Sequence, residues 1–218
     1  GGSTGGAAIF ADGGTVALFN SSIGVTLTDA LKLRDSNALR GSRTADVSTI
    51  EERTKAIGET KSFRNGAGVF CRSGTVQLFS STIASCYADC EGGAIYMNGG
   101  RVTLAEGTLI VDSLAQMRGG AVSVKGAQAH LVMTNSSMVG TFSRWGRAGA
   151  LSVTAGRAVI MSSVIALSSA LELGGAVGVE GGSVEILDSH IDEARSGNGG
   201  GCFHLTGGEL VLRNATVA

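Results

Sequence analysis

Five residues able to carry charge or move a proton fall close together: Glu185, Asp188, His190, Asp192 and Glu193. His190 and Asp192 stand two apart, so on an extended strand they share a face. An imidazole and a carboxylate so placed would hold a metal or pass a proton. A glycosidase would need two carboxyl groups a few ångströms apart, as acid and as base or nucleophile. The repeats on either side place Val164 and Thr216 where His190 stands, so neither supplies a third ligand. A solvated acidic edge with an incidental histidine is the better reading. No catalytic set, no metal site and no cofactor are assigned, and His190 and Asp192 stay as weak metal candidates.

Other residues suggest contact rather than turnover. Phe10, Phe70 and Tyr96 occupy equivalent places in successive repeats. Aromatic rings aligned on an outer face suit stacking on sugars or on an apolar partner, unless an insertion folds back and covers them. Trp145 lies in the turn Arg144-Trp145-Gly146-Arg147 and would anchor a partner or pack on the edge of its own coil. Three N-x-S/T sequons, at Asn20, Asn135 and Asn214, share one place in the repeat. They line one ridge, open either to glycosylation or to the plain preference of turns for Asn, Asp and Ser. Of the four cysteines, Cys71 reads as a core residue and Cys202 as a stand-in for a small alanine. Cys86 and Cys90 fall in a turn, where a local disulfide and two free thiols are both open.

The element that must position all of these is a repeat. A hexapeptide with aliphatic ends recurs as LFNSSI at 18–23, LFSSTI at 78–83, LAEGTL at 104–109, MTNSSM at 133–138, IMSSVI at 160–165, ILDSHI at 186–191 and LRNATV at 212–217. Their starts are spaced 60, 26, 29, 27, 26 and 26 residues apart. A Gly-rich block precedes each, as in GGAIYMNGG from Gly92, GGAVSVKGA from Gly119 and GGAVGVEGG from Gly174. Three short alternating stretches per unit of about 26 residues is the period of a parallel β-helix. The chain has 35 glycines, no proline and 43% hydrophobic residues. Glycine thus punctuates a packed structure, and nearly every N–H remains free to join a sheet.

The fold class expected is all-β: a right-handed parallel β-helix of about seven coils with three short strands each. Alternation places Ile9, Val69, Ile95, Val122, Leu151, Val177 and Phe203 inward. It leaves Phe10, Phe70, Tyr96, Ser123, Ser152, Gly178 and His204 outward, a row without a charge cluster. Residues 1–218 read as one domain, a fragment of a longer chain. Residues 30–63 break the period as a charged insertion. Its Ser48-Thr49-Ile50-Glu51 capping box predicts a helix, and LRDSNA at 33–38 offers a degenerate coil as the alternative.

The GGA-φ blocks at Gly92, Gly119 and Gly174 resemble the repeats of chlamydial polymorphic outer membrane proteins, within the pectate-lyase-like β-helix superfamily. That family also carries FxxN tetrapeptides, whereas here Phe19 and Asn20 are adjacent. The resemblance implies a surface-exposed adhesive passenger, while the superfamily includes polysaccharide lyases and glycoside hydrolases. The expectation is a non-catalytic structural or adhesive segment, extracellular or at the cell surface. Its partners would be other protein chains or further coils of the same chain, and possibly carbohydrate. The alternative is a carbohydrate-active enzyme using the Glu185–Glu193 region. Ice binding is less favoured, because Val164 and His190 interrupt the threonine row. Seventeen basic and 18 acidic residues give no footprint for nucleic acid, and no apolar run is long enough to span a membrane.

Overall fold

The computed structural model describes residues 8–24 and 63–218. The described chain winds into a parallel β-solenoid of about six turns, with no helix among the described residues. Seven coils were expected from seven hexapeptides; seven rungs enclose six turns. The insertion 30–63 lies outside the described residues, apart from the strand that begins at Phe63. Ile9–Phe19 nevertheless pairs directly with Val69–Phe79, matching Phe10 to Phe70, and Ser22–Gly24 pairs with Thr82–Ala84. No coil is therefore interposed between these two in the ladder; LRDSNA at 33–38 and the capping box at 48–51 lie outside the described residues.

Three sheets run along the axis. In the first two coils the first and second strands are one continuous stretch, Ile9–Phe19 and Val69–Phe79. From Gly99 onward a corner separates them, as in Ile95–Met97 followed by Arg101–Ala105. Both ladders thus belong to one 12-stranded sheet. The hexapeptide ends build the 7-stranded sheet, from Ser22–Gly24 to Thr216–Val217. A 6-stranded sheet was not foreseen. Tyr87–Glu91, Leu114–Ala115, Phe142–Ser143 and their counterparts form it from residues read as a turn. Strands of two residues carry too little alternation to show in the sequence.

The inward rows pair as the alternation requires, and Val69, Ile95, Val122, Leu151 and Val177 are fully buried in one continuous core. One register assignment is corrected. Leu109, not Thr108, pairs with Ser137, and Ile110 pairs with Met138. Gly107 is an extra residue in that coil. Thr108 takes the fourth place of the hexapeptide, and Leu109 replaces it in the threonine row.

The corners explain the recurring small residues chemically. The third hexapeptide residue is left-handed in every coil: Asn20, Ser80, Glu106, Asn135, Ser162, Asp188 and Asn214 have φ between 45° and 55°. Asn and Asp tolerate that region best among residues with a Cβ. The fourth residue then ties the coils together. Ser136, Ser163 and Ser189 each donate a hydroxyl to the carbonyl two residues back, at 2.6–2.8 Å. The Ser136 and Ser163 N–H groups donate to the hydroxyl of the next serine, at 3.2 and 3.1 Å.

The Gly-Gly step has two separate causes. Gly92 has φ +65°, and a Cβ there would press on the Ile95 carbonyl of its own turn; Ala148 nevertheless adopts the same φ of 65° in its own coil, so a methyl is accepted there at a cost in strain. Gly93 instead lies where the coils touch: a Cβ would collide with the Gly120 and Leu114 carbonyl oxygens. Gly93→Ala is expected to cost about 3 kcal/mol, since two backbones would have to part. Gly92→Ala should cost only about 1–2 kcal/mol. Urea unfolding of the two variants against the parent measures the difference.

Candidate functional site

The row pointing out of the core along the first strands is the place to look for chemistry. Its register is as the alternation places it, from Phe10 through Tyr96, Ser123, Ser152 and Gly178 to His204. Its burial is not. Tyr96 is 7% exposed and Ser123 fully buried. Side chains flanking the first strand close over the row from both sides. Glu91, Arg118 and Arg147 stand just before the glycine blocks, while Lys125 and Glu180 stand just after the strands.

These five form one ion-pair chain. Lys125 Nζ lies 3.1 Å from Glu91 Oε1, and Arg118 Nη1 lies 3.7 Å from the same oxygen. Arg118 Nε and Arg147 Nη1 each lie 3.3 Å from Glu180 Oε1. Ser123 Oγ donates to Glu91 Oε2 at 3.2 Å. Burial pushes the Lys125 ammonium down, but its hydrogen bond to Glu91 and that carboxylate's charge outweigh this, so its pKa is raised. The outward row alone held no charge cluster, and the structure makes one from its flanks. The signal available was the column Glu91, Arg118, Arg147 directly before the glycine blocks. Both carboxylates are engaged by two cations each, an arrangement that binds coils together rather than presenting a free acid or base.

The aromatic candidates separate. Phe10 and Phe70 have ring centroids 5.2 Å apart, and Phe70 and Tyr96 5.0 Å. Phe19 and Phe79 stack at 5.0 Å and 11°. The Phe10–Phe70 and Phe70–Tyr96 pairs are tilted, at 31° and 46°, so the rings of this row pack on one another from coil to coil rather than forming a flat open platform; Phe10, 49% exposed, is the most open of the three. Trp145 is 62% exposed, in a corner one residue longer than those that follow it. The Arg144 guanidinium carbon sits 5.1 Å from its ring centroid. Tyr96 is the one aromatic candidate that the structure buries.

The Glu185–Glu193 group does not converge. Arg157 lies 2.6 Å from Glu185, Asn214 Nδ2 donates to Asp188 Oδ1 at 3.1 Å, and Arg195 lies 3.7 Å from Glu193. His190 and Asp192 do share a face, with Nε2 and Oδ2 4.0 Å apart. Among the described residues no cluster of three His, Cys, Asp or Glu side chains is placed to hold a metal. Asn20, Asn135 and Asn214 are all exposed. The four cysteines are free, which closes the Cys86–Cys90 alternative. Cys86 packs into the core and burial pushes its thiol to about 12; Cys90 sits not in a turn but within the strand Tyr87–Glu91. Burial also raises the Cys202 thiol, to about 11.

Against known proteins, the chain matches no family model, no curated protein and no solved structure. No helix among the described residues is long and apolar enough to cross a membrane.

Two outcomes follow from this surface. Glu91→Ala leaves Lys125 without its carboxylate and the buried Ser123 hydroxyl without its acceptor, while Arg118 keeps Glu180. With both cations part-exposed, it is expected to cost about 1–2 kcal/mol, read by denaturant unfolding.

His130 gives a pH dependence. It stands between Arg101 and Arg157 in the ladder, and Arg101 Nη1 approaches its Nδ1 at 3.1 Å. An arginine only donates, so Nδ1 accepts and the ring is neutral. Burial, then the charges of Arg101 and Arg157, hold His130 below its ordinary 6.5. The unfolded chain therefore takes up a proton that the folded chain refuses. This contribution is complete above the ordinary value and is lost as the pH falls from there through the folded value. Thermal unfolding between pH 8 and 5 should show that loss, and His130→Gln should flatten it.

Proposed function

We propose that the chain is a non-catalytic structural and adhesive β-helix segment of a cell-surface or extracellular protein or assembly. One observation carries this reading. The outward polar groups best placed for chemistry are engaged by each other across coils, while large apolar side chains stand in solvent. Phe19 and Trp145 are each 62% exposed, and Leu167 is 47% exposed on a left-handed corner with φ 53°. Exposed side chains of this kind suit contact with other protein, and with carbohydrate at the Phe10 end of the aromatic ladder. The GGA-φ blocks support placing the chain beside the polymorphic outer membrane protein repeats of the pectate-lyase-like superfamily. The three exposed sequons agree with a secreted setting, and intact mass after glycosidase treatment of native-source material tests them.

A carbohydrate-active enzyme is the competing reading, and it rests on His190 and Asp192. Incubation with acidic and neutral polysaccharides is expected to release no shorter chains. Turnover that disappears in His190→Ala or Asp192→Ala would overturn the proposal. Beads coated with the chain should be retained on cell or matrix surfaces, and Trp145→Ala should lower that retention severalfold without changing the unfolding temperature.

A further inference from the structure

The second-strand face, midway along the solenoid, carries a column of basic residues. Arg101, His130 and Arg157 begin the successive strands Arg101–Ala105, His130–Thr134 and Arg157–Met161, and stand directly opposite one another in the ladder. Coils in such a ladder lie about 4.8 Å apart, and like charges set opposite one another destabilise a sheet. Elsewhere the surface matches its charges: Arg72 meets Asp12, Lys125 meets Glu91, and Arg118 and Arg147 meet Glu180. These three strands contain no acid. The next strand supplies Glu185, 2.6 Å from Arg157.

Among the described residues Arg101 has no carboxylate partner. Its Nη1 lies instead 3.1 Å from His130 Nδ1, on the exposed side of the ring. The ring has no second hydrogen bond, since Nε2 is without a partner among the described residues. An anion entering between Arg101 and His130 therefore displaces one neutral contact and breaks nothing else.

We propose that this column binds the sulfate groups of a linear sulfated glycan lying along the solenoid axis. A sulfate entering there turns the Arg101 guanidinium from a neutral imidazole to a full negative charge, the stronger hydrogen bond. His130 Nδ1 takes up a proton from solvent and donates it in a hydrogen bond to a second sulfate oxygen. A pyranose ring is about as long as one coil is thick, so successive sugars follow the column coil by coil and bring a further sulfate to Arg157. Half-buried Gln77 and Thr103, in register with each other beside the column, offer hydrogen bonds to sugar hydroxyls. The corner before His130 has five residues against three before Arg101 and Arg157, and exposes Gln128 two residues from the ring. None of the three strands carries the Phe, Tyr or Trp on which nucleic-acid bases would stack.

The site carries its own pH dependence. Arg101 faces His130 from one neighbouring strand and Arg157 from the other, while Lys125 of its own corner is held by Glu91. Burial and the two arginines keep the free ring below its ordinary value. A bound sulfate opposes those charges and raises it. Binding therefore takes up a proton and tightens as the pH falls through the bound value towards the free one. Whether Trp145 anchors a protein partner is independent of this column.

Isothermal titration calorimetry of the 218-residue chain with heparin oligosaccharides at pH 7.5 and 5.5 tests it, with circular dichroism confirming that each variant folds. The parent should bind severalfold more tightly at pH 5.5. Arg101→Gln and Arg157→Gln should each lower that affinity about tenfold. Arg213→Gln removes the same charge two coils beyond Arg157 and should leave it unchanged. His130→Gln should bind equally at both pH values. Desulfated oligosaccharide of the same length and single-stranded DNA should each bind at least about tenfold more weakly than the sulfated form. A parent that does not bind or binds without pH dependence, an Arg213→Gln loss as large as that of Arg101→Gln, or desulfated sugar or DNA bound as well as the sulfated chain would overturn the proposal.

Discussion

Everything in this molecule depends on each coil offering its N–H and C=O groups to the coils before and after it at one register. A buried backbone group without a partner costs more than most side-chain contacts return. The chain must therefore arrive at each strand in phase with its neighbour, turn after turn. Extra residues are absorbed where they leave the ladder untouched. Gly107 bulges at a corner while Ile110 still pairs with Met138. The long insertion leaves between the second and third sheets, while Phe10 still pairs with Phe70.

That constraint accounts for the unusual composition. A coil of about 26 residues turns sharply, and left-handed backbone at fixed places makes the turns. Asn, Asp, Ser and Gly gather there because they tolerate positive φ. The corner's needs coincide with the sequon pattern: an αL-tolerant Asn, then a small residue, Ser21 or Ser136 binding coil to coil and Ala215 in the last case, then the first residue of the next strand. The glycine block serves closeness as much as rotation, since at Gly93 two carbonyls occupy the space of a side chain.

The outer surface follows the same axial logic. Stacking coils bring like residues into register, so aromatic rings pack against aromatic rings. Charges of opposite sign set a few coils apart close over the first-strand row, as Arg118 does in bridging Glu91 and Glu180. Outward direction and exposure are thus different properties. Tyr96 points away from the core and is still buried.

The sequence by itself determined the repeat, the all-β class and the inward rows, because alternation within a strand is written directly in the order of residues. Ile95, Val122 and Val177 stood out for that reason, and so did the corner serines. Only the tertiary structure decided the third sheet, the free state of Cys86 and Cys90, and the covered groove around Glu91 and Glu180. Two-residue strands carry no readable period. The direction in which Arg118 reaches depends on how the corners fold back over the first strand. The pattern of residues states which face a side chain leaves from; the winding of the coils states what it meets there.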